Sequence, residues 1–272
     1  MTHNRGPTFI GANREAPLFA PCGLCGITQS LSRTHIPPQA AGNTNPRYRE
    51  QIKDKVRRPG SFRDGGLWVR GLCSSCNSDA GGTCDTAYVA FANEMRPFVH
   101  NGQLYVPSRR DVPAKAVAPG LVARSVMFNM FALWLRLREF APELAAGLHA
   151  QEHPLRLPPQ YRLRVAAYRG RPVVESLTFA AHVMRMTDAP YNVVGAFYFE
   201  PFAWALTHED DVLLDRLGWG DATDWIRYNP DATRLDLRNV LDRFPLTDRP
   251  ADMFGDSAME MSSDEHVLMR GR

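Results

Sequence analysis

Two cysteine pairs, Cys22-x-x-Cys25 and Cys73-x-x-Cys76, and one histidine set between them, His35, are the residues of this chain best suited to chemistry. Two-residue spacing lets both thiolates of a pair reach one ion at about 2.3 Å, and two such pairs complete a tetrahedron. Gly23 and Gly26 suit the tight turn that a pair needs, because glycine accepts a positive φ without steric cost. The expectation is a four-cysteine Zn2+ site that is structural, since four protein ligands leave no coordination position open. The 47 residues between the pairs exceed the roughly 15–20 of a zinc ribbon, so an element is inserted there. The stretch SRTHIPPQ (32–39) lies inside that insertion, and a histidine placed directly before Ile36 and a double proline is a candidate catalytic group. All five cysteines, including Cys84, fall in the first third of the chain. An odd number without an export signal argues against a disulfide framework, and Cys84 is expected to be a small buried residue.

The order CxxC, then SRTHIPP, then a basic insert, then LWVRGLCSSCN resembles the HNH endonuclease family, in particular its zinc-stapled members. In that family a two-stranded ribbon and a helix grip one divalent metal, the ββα-metal finger. The resemblance is carried by His35, Ile36 and Pro38 within THIPP (34–38), and by Asn77, which follows the second pair directly. Thr34 stands where the family usually has Asp or His, and the family's middle asparagine would fall near Trp68 or Val69. The likeness spans about Cys22 to Met95. It implies DNA as the substrate, nicked or cut with Mg2+ or Mn2+, with His35 as general base and Asn77 as a metal ligand. Asp85 is the first choice for a compensating carboxylate ligand, because the helix it opens follows Asn77 closely. The chemistry suits the residue types: histidine, with an unperturbed pKa of about 6.5, accepts a proton near neutral pH. Asparagine offers a hard carbonyl oxygen. Arg33, Arg47, Arg49, Arg57, Arg58 and Arg70 could clamp phosphates. Two other readings stand beside this one. The first is a catalytically degenerate zinc module that binds nucleic acid; the second is an adaptor that uses GAFYFEPFAW as an interaction edge.

Charge is distributed in keeping with a polyanionic partner. Residues 1–110 carry a net charge of +7 and residues 111–272 a net of −4, although the whole chain is only +3. Hydrophobic content of 44% and charged content of 22% are those of a globular protein. No apolar run of about 18 residues exists, and the first residues lack an apolar signal core. The expectation is a cytoplasmic chain with no membrane span. No phosphate-cradling glycine loop, HExxH motif or triad-like spacing offers a rival site.

The positioning elements follow from periodicity. GGLWVRGL (65–72) reads as a short strand leading into the second pair, and DTAYVAFANEM, from Asp85, as a helix with one packed face. The proline- and glycine-punctuated stretch 101–120 reads as a boundary, and a helix is expected from about Leu121 to Phe140, closed near Pro142. YRLRVAAY (161–168), RPVVESLTFAAHVM (171–184) and YNVVGAFYFEPFAWALT (191–207) read as strands, with Gly170 to Pro172 as a hairpin turn between the first two. The fold class is therefore α+β. A ββα-metal, HNH-like, zinc-stapled domain at 18–100 precedes a helix and a mainly antiparallel β domain at 118–249. Residues 1–17 and 250–272 are expected to be loose. The second domain could recognise the target or pair two copies as a homodimer.

Overall fold

Proline and glycine keep the first strands short. β1 (Leu18–Pro21) and β2 (Thr28–Leu31) form an antiparallel hairpin whose turn carries the first cysteine pair. β3 (Thr34–His35), stopped by Pro37-Pro38, is followed in the chain by the hairpin of β4 (Glu50–Lys53) and β5 (Val56–Pro59) inside the insertion. β3 then pairs antiparallel with β6 (Trp68–Val69), Thr34 opposite Val69 and His35 opposite Trp68. Backbone bonds from Ser32 N to Leu72 O (2.8 Å) and from Ile36 N to Leu67 O (3.1 Å) extend that pairing at both ends. The computed structural model describes residues 18–44, 50–53, 56–59, 66–99, 116–169, 173–176, 193–229, 235–236 and 246–247. The expected loose ends, 1–17 and 250–272, lie outside these residues.

After β6, Cys73 caps α1 (Ser74–Asp79), which passes through a single π-type turn at Ala80–Cys84 into α2 (Asp85–Val99). The turn contains Gly81 and Gly82, which hold regular helix geometry weakly. α2 begins where the sequence expects it. Its buried residues Tyr88, Phe91, Ala92 and Met95 fall at the i, i+3, i+4, i+7 spacing of one helix face.

The long second helix differs from expectation. α3 runs Pro119–Leu133, after the short strand β7 (Ala116–Val117), and ends at Trp134, whose backbone is extended (φ −131, ψ 92). Trp134 turns to stack on Phe140, ring centroids 5.1 Å apart. α4 (Leu137–Phe140) and α5 (Pro142–His149) follow. Pro142 opens a helix and does not close one, because its fixed φ and missing N–H fit the first helical turn. From Val122 to Leu133 every residue of α3 is buried, the polar Arg124, Ser125 and Asn129 among them, as in a central helix packed on all sides.

The remaining strands build one sheet in the order β12-β8-β11-β10-β9: β8 (Tyr161–Tyr168), β9 (Val173–Ser176), β10 (Val193–Phe199), β11 (Phe202–His208) and β12 (Gly220–Asp221). α6 (Val212–Arg216) and a 3-10 turn at Thr223–Arg227 flank it. Of two later strands, β13 (Leu235–Asp236) pairs with β7, and β14 (Leu246–Thr247) joins the sheet parallel to β8. The other pairings in the sheet are antiparallel. The hairpin expected between β8 and β9 does not form. The β10–β11 hairpin lies between them, so β9 pairs with β10 at the far edge. The class is α+β, as the sequence indicates.

One apolar cluster joins both halves, from Ala20 and Leu31 through α3 to Phe202 and Ile226. Phe91 on α2 stacks on Phe202 of the sheet at 4.4 Å. Burying side chains of this size contributes about 1.5–3 kcal/mol each. Two glycines let the cysteine turns sit directly on α3: a Cβ on Gly71 would fall 2.1 Å from Ala132 O, and one on Gly23 would fall 2.3 Å from Phe131 O. No helix among the described residues is long and apolar enough to cross a membrane.

Candidate metal centre and histidine site

The β1–β2 turn and the start of α1 bring the four paired cysteines together. Their Sγ atoms all lie within 4.8 Å of one another, against about 3.8 Å for sulfurs on a tetrahedron of 2.3 Å bonds. Gly26 adopts φ +75 in the first turn, where Gly26 N donates to Cys22 O at 2.9 Å. Cys22, Cys73 and Cys76 are buried and Cys25 is half-buried. The hydrogen bond with Cys76 pulls the Cys22 thiol down to about 4, helped by the Cys73 backbone N–H. Cys76 is pushed up in turn, first by that same bond and then by burial, and burial raises Cys25. One thiolate forms readily here; a cation is what would allow all four. Among the described residues these cysteines are the only group of three or more His, Cys, Asp or Glu side chains able to hold an ion. Cys84 is buried, as expected, and burial raises its thiol to about 11.

His35 ends β3 half-buried. Burial, followed by the positive charge of Arg33, lowers its pKa below the ordinary 6.5, so the ring is neutral at physiological pH. The Arg33 guanidinium lies 4.8 Å over the Trp68 ring and that of Arg70 at 5.9 Å, with Arg70 Nη1 donating to Leu31 O at 2.8 Å. Thr34 Oγ1, His35 Nδ1 and Arg70 Nε are buried with no hydrogen-bond partner among the described residues. Successive strand residues face opposite ways, so Thr34, opposite the buried Val69, lies on the other face of the ribbon from His35.

The loop after His35 is pinned by a residue that the sequence reading overlooked. Asn43, fully buried, donates from Nδ2 to Pro37 O and Leu67 O, both at 2.8 Å, and accepts from Leu67 N at 2.7 Å. It ties the double proline behind His35 to the residue before β6. The sequence reading looked for an asparagine beside Trp68; the available signal was the Gly42-Asn43 turn dipeptide. Asn43→Ala would take a partner from the Pro37 carbonyl and from the Leu67 N–H, while Leu67 O would keep its bond from Ile36 N. It is expected to cost about 2 kcal/mol or more in denaturant unfolding.

Asn77, on α1, donates from Nδ2 to Arg33 O at 3.1 Å and so faces the segment that carries His35. Asp85 is engaged elsewhere, its Oδ1 accepting from Ser125 Oγ of α3 at 2.6 Å. Burial raises its carboxyl to about 6, the Ser125 bond opposing the shift. A folded pKa above the unfolded 3.8 means that the folded state binds the proton more tightly. The stability that Asp85 contributes is therefore fully present below pH 4 and is lost as pH rises through about 6, about 3 kcal/mol in all. Asp85→Asn is expected to exceed the parent by up to that amount in urea melts at pH 8, and to match it below pH 4. Of the arginines expected to meet phosphate, Arg33 and Arg70 flank His35, and Arg57 and Arg58 lie on β5. Arg47 and Arg49 lie outside the described residues.

No protein-family model matches the chain, and no curated protein or solved structure matches it either.

Proposed function

We propose that the chain is a zinc-stapled, HNH-like endonuclease that hydrolyses DNA phosphodiester bonds with His35 as the general base. The observation that carries this reading is the order strand, strand, helix: β3 pairs with β6, α1 follows, and Asn77 on that helix bonds to the segment bearing His35. Four soft thiolates in a closed, mostly buried cluster suit Zn2+, which would act as a staple and not as the catalyst. The neutral His35 imidazole takes a proton from water and the hydroxide bonds to phosphorus as the P–O bond to the leaving oxygen breaks; that oxygen, with Arg33 and Arg70 to offset its charge, takes a proton from solvent. Mg2+ or Mn2+ fits less completely. Asn77 offers one hard oxygen, Asp85 is bonded to Ser125, and no described carboxylate offsets the Arg33 charge on His35. The step is accordingly derived for His35 alone. Supercoiled and linear DNA incubated with Mg2+, Mn2+ or EDTA tests the reading: cleavage with a cation and none in EDTA is expected.

The engagement of Asp85 and the burial of Thr34 favour a second reading, a degenerate site in a zinc module that binds nucleic acid. DNA binding that survives EDTA, with no cleavage at any divalent cation, would select it.

A further inference from the structure

Every sulfur of the cysteine cluster has a nitrogen beside it. Cys73 N donates to Cys22 Sγ at 3.3 Å, Cys76 N to Cys73 Sγ at 3.5 Å, and Gln29 Nε2 approaches Cys25 Sγ at 3.9 Å. These three donors come from the hairpin and helix that carry the ligands themselves. The fourth sulfur, Cys76 Sγ, has Nδ1 of His149 at 3.7 Å, from the end of α5 and 73 residues further along the chain. We infer that His149 carries its proton on Nδ1 and donates it to the Cys76 thiolate, as the positioning residue that completes the metal centre. The inference rests on the reading of the cluster as a Zn2+ site.

Four thiolates around a divalent cation carry a net charge of −2, and with three of the cysteines buried, water is poorly placed to offset it. Hydrogen bonds to the sulfurs spread that charge and orient the ligands. A donor from a remote element does one thing more: it couples the hold on the metal to the seating of that element. α5 is seated by its buried Leu144, Ala145 and Leu148, whereas the His149 ring is exposed, so its replacement leaves the apolar contacts of α5 in place.

Full-length parent, His149→Leu and His149→Asn, each loaded with Zn2+, would be assayed for metal content and then for release to a chromogenic chelator. The asparagine amide nitrogen can occupy the place of Nδ1; leucine has no donor. All three are expected to hold one zinc, with release from His149→Leu about 10-fold faster or more and release from His149→Asn close to the parent. Equal release from parent and His149→Leu overturns the inference. A parent that holds no zinc removes the centre itself, and with it the reading on which the inference rests. A measurement on the unaltered protein is independent of the variants: long-range proton–nitrogen correlation of the imidazoles in the zinc-loaded parent. Protonation of Nδ1 on His149 is expected, and a ring protonated on Nε2 alone would overturn the assignment.

Discussion

Plasmid DNA is expected to remain supercoiled with His35→Ala under Mg2+ or Mn2+ conditions in which the parent nicks it, while the zinc content of the variant is unchanged. Removing a general base lowers a rate by about 10²–10⁴-fold. Zinc content is a separate readout because His35 lies outside the cysteine cluster. The pH profile gives a second handle. Burial and the Arg33 charge hold the imidazole neutral below its ordinary 6.5, so the acid limb of the parent's cleavage profile belongs below that pH. A variant that cleaves as fast as the parent would remove His35 from the mechanism. An acid limb of the parent's profile with its midpoint above pH 7 would contradict the environment described for the ring.

Loss of the proposed zinc should have the largest effect on stability. A structural zinc contributes about 10–16 kcal/mol of apparent folding free energy in small modules. Here the proposed ligands are also core residues: Cys22, Cys73 and Cys76 belong to the cluster that contains Phe131, Phe202 and Trp204. Stripping zinc from the parent, or replacing Cys76 by Ser, is expected to lower the melting temperature by more than about 10 °C. The near-ultraviolet signal of the buried tryptophans should change with it, because the disturbance reaches the shared core. A melting temperature that is the same before and after stripping, with metal loss confirmed by elemental analysis, would show that the cluster does not staple the fold.

How much of this could be read from the sequence depended on the range of the interaction. The cysteine pairs were legible because two-residue spacing is a local constraint that no distant contact has to satisfy. α2 was legible because Tyr88, Phe91, Ala92 and Met95 repeat with the helical period. The strands β8, β10 and β11 were legible as strands, but not their neighbours: pairing β9 with β10 and not with β8 is decided by how the β10–β11 hairpin docks. The end of α3 at Trp134 has no glycine or proline to announce it, since the turn is made by a ring stacking six residues ahead. The site divides in the same way. His35 and Asn77 flank the cysteine pairs in sequence and share one small unit in space. Asn43 and Ser125 act through partners 24 and 40 residues away, which no local pattern displays.

The contact of Gly23 and Gly71 with the last turn of α3 has a consequence for portability. At those two points the cysteine turns meet bare main chain, carbonyl oxygens that accept no added atom between them. A module seated in this way is not a cassette. Transplanted into another protein, it would lack the helix end against which its two glycines are fitted, and a shorter chain ending before Pro119 would lack the same floor.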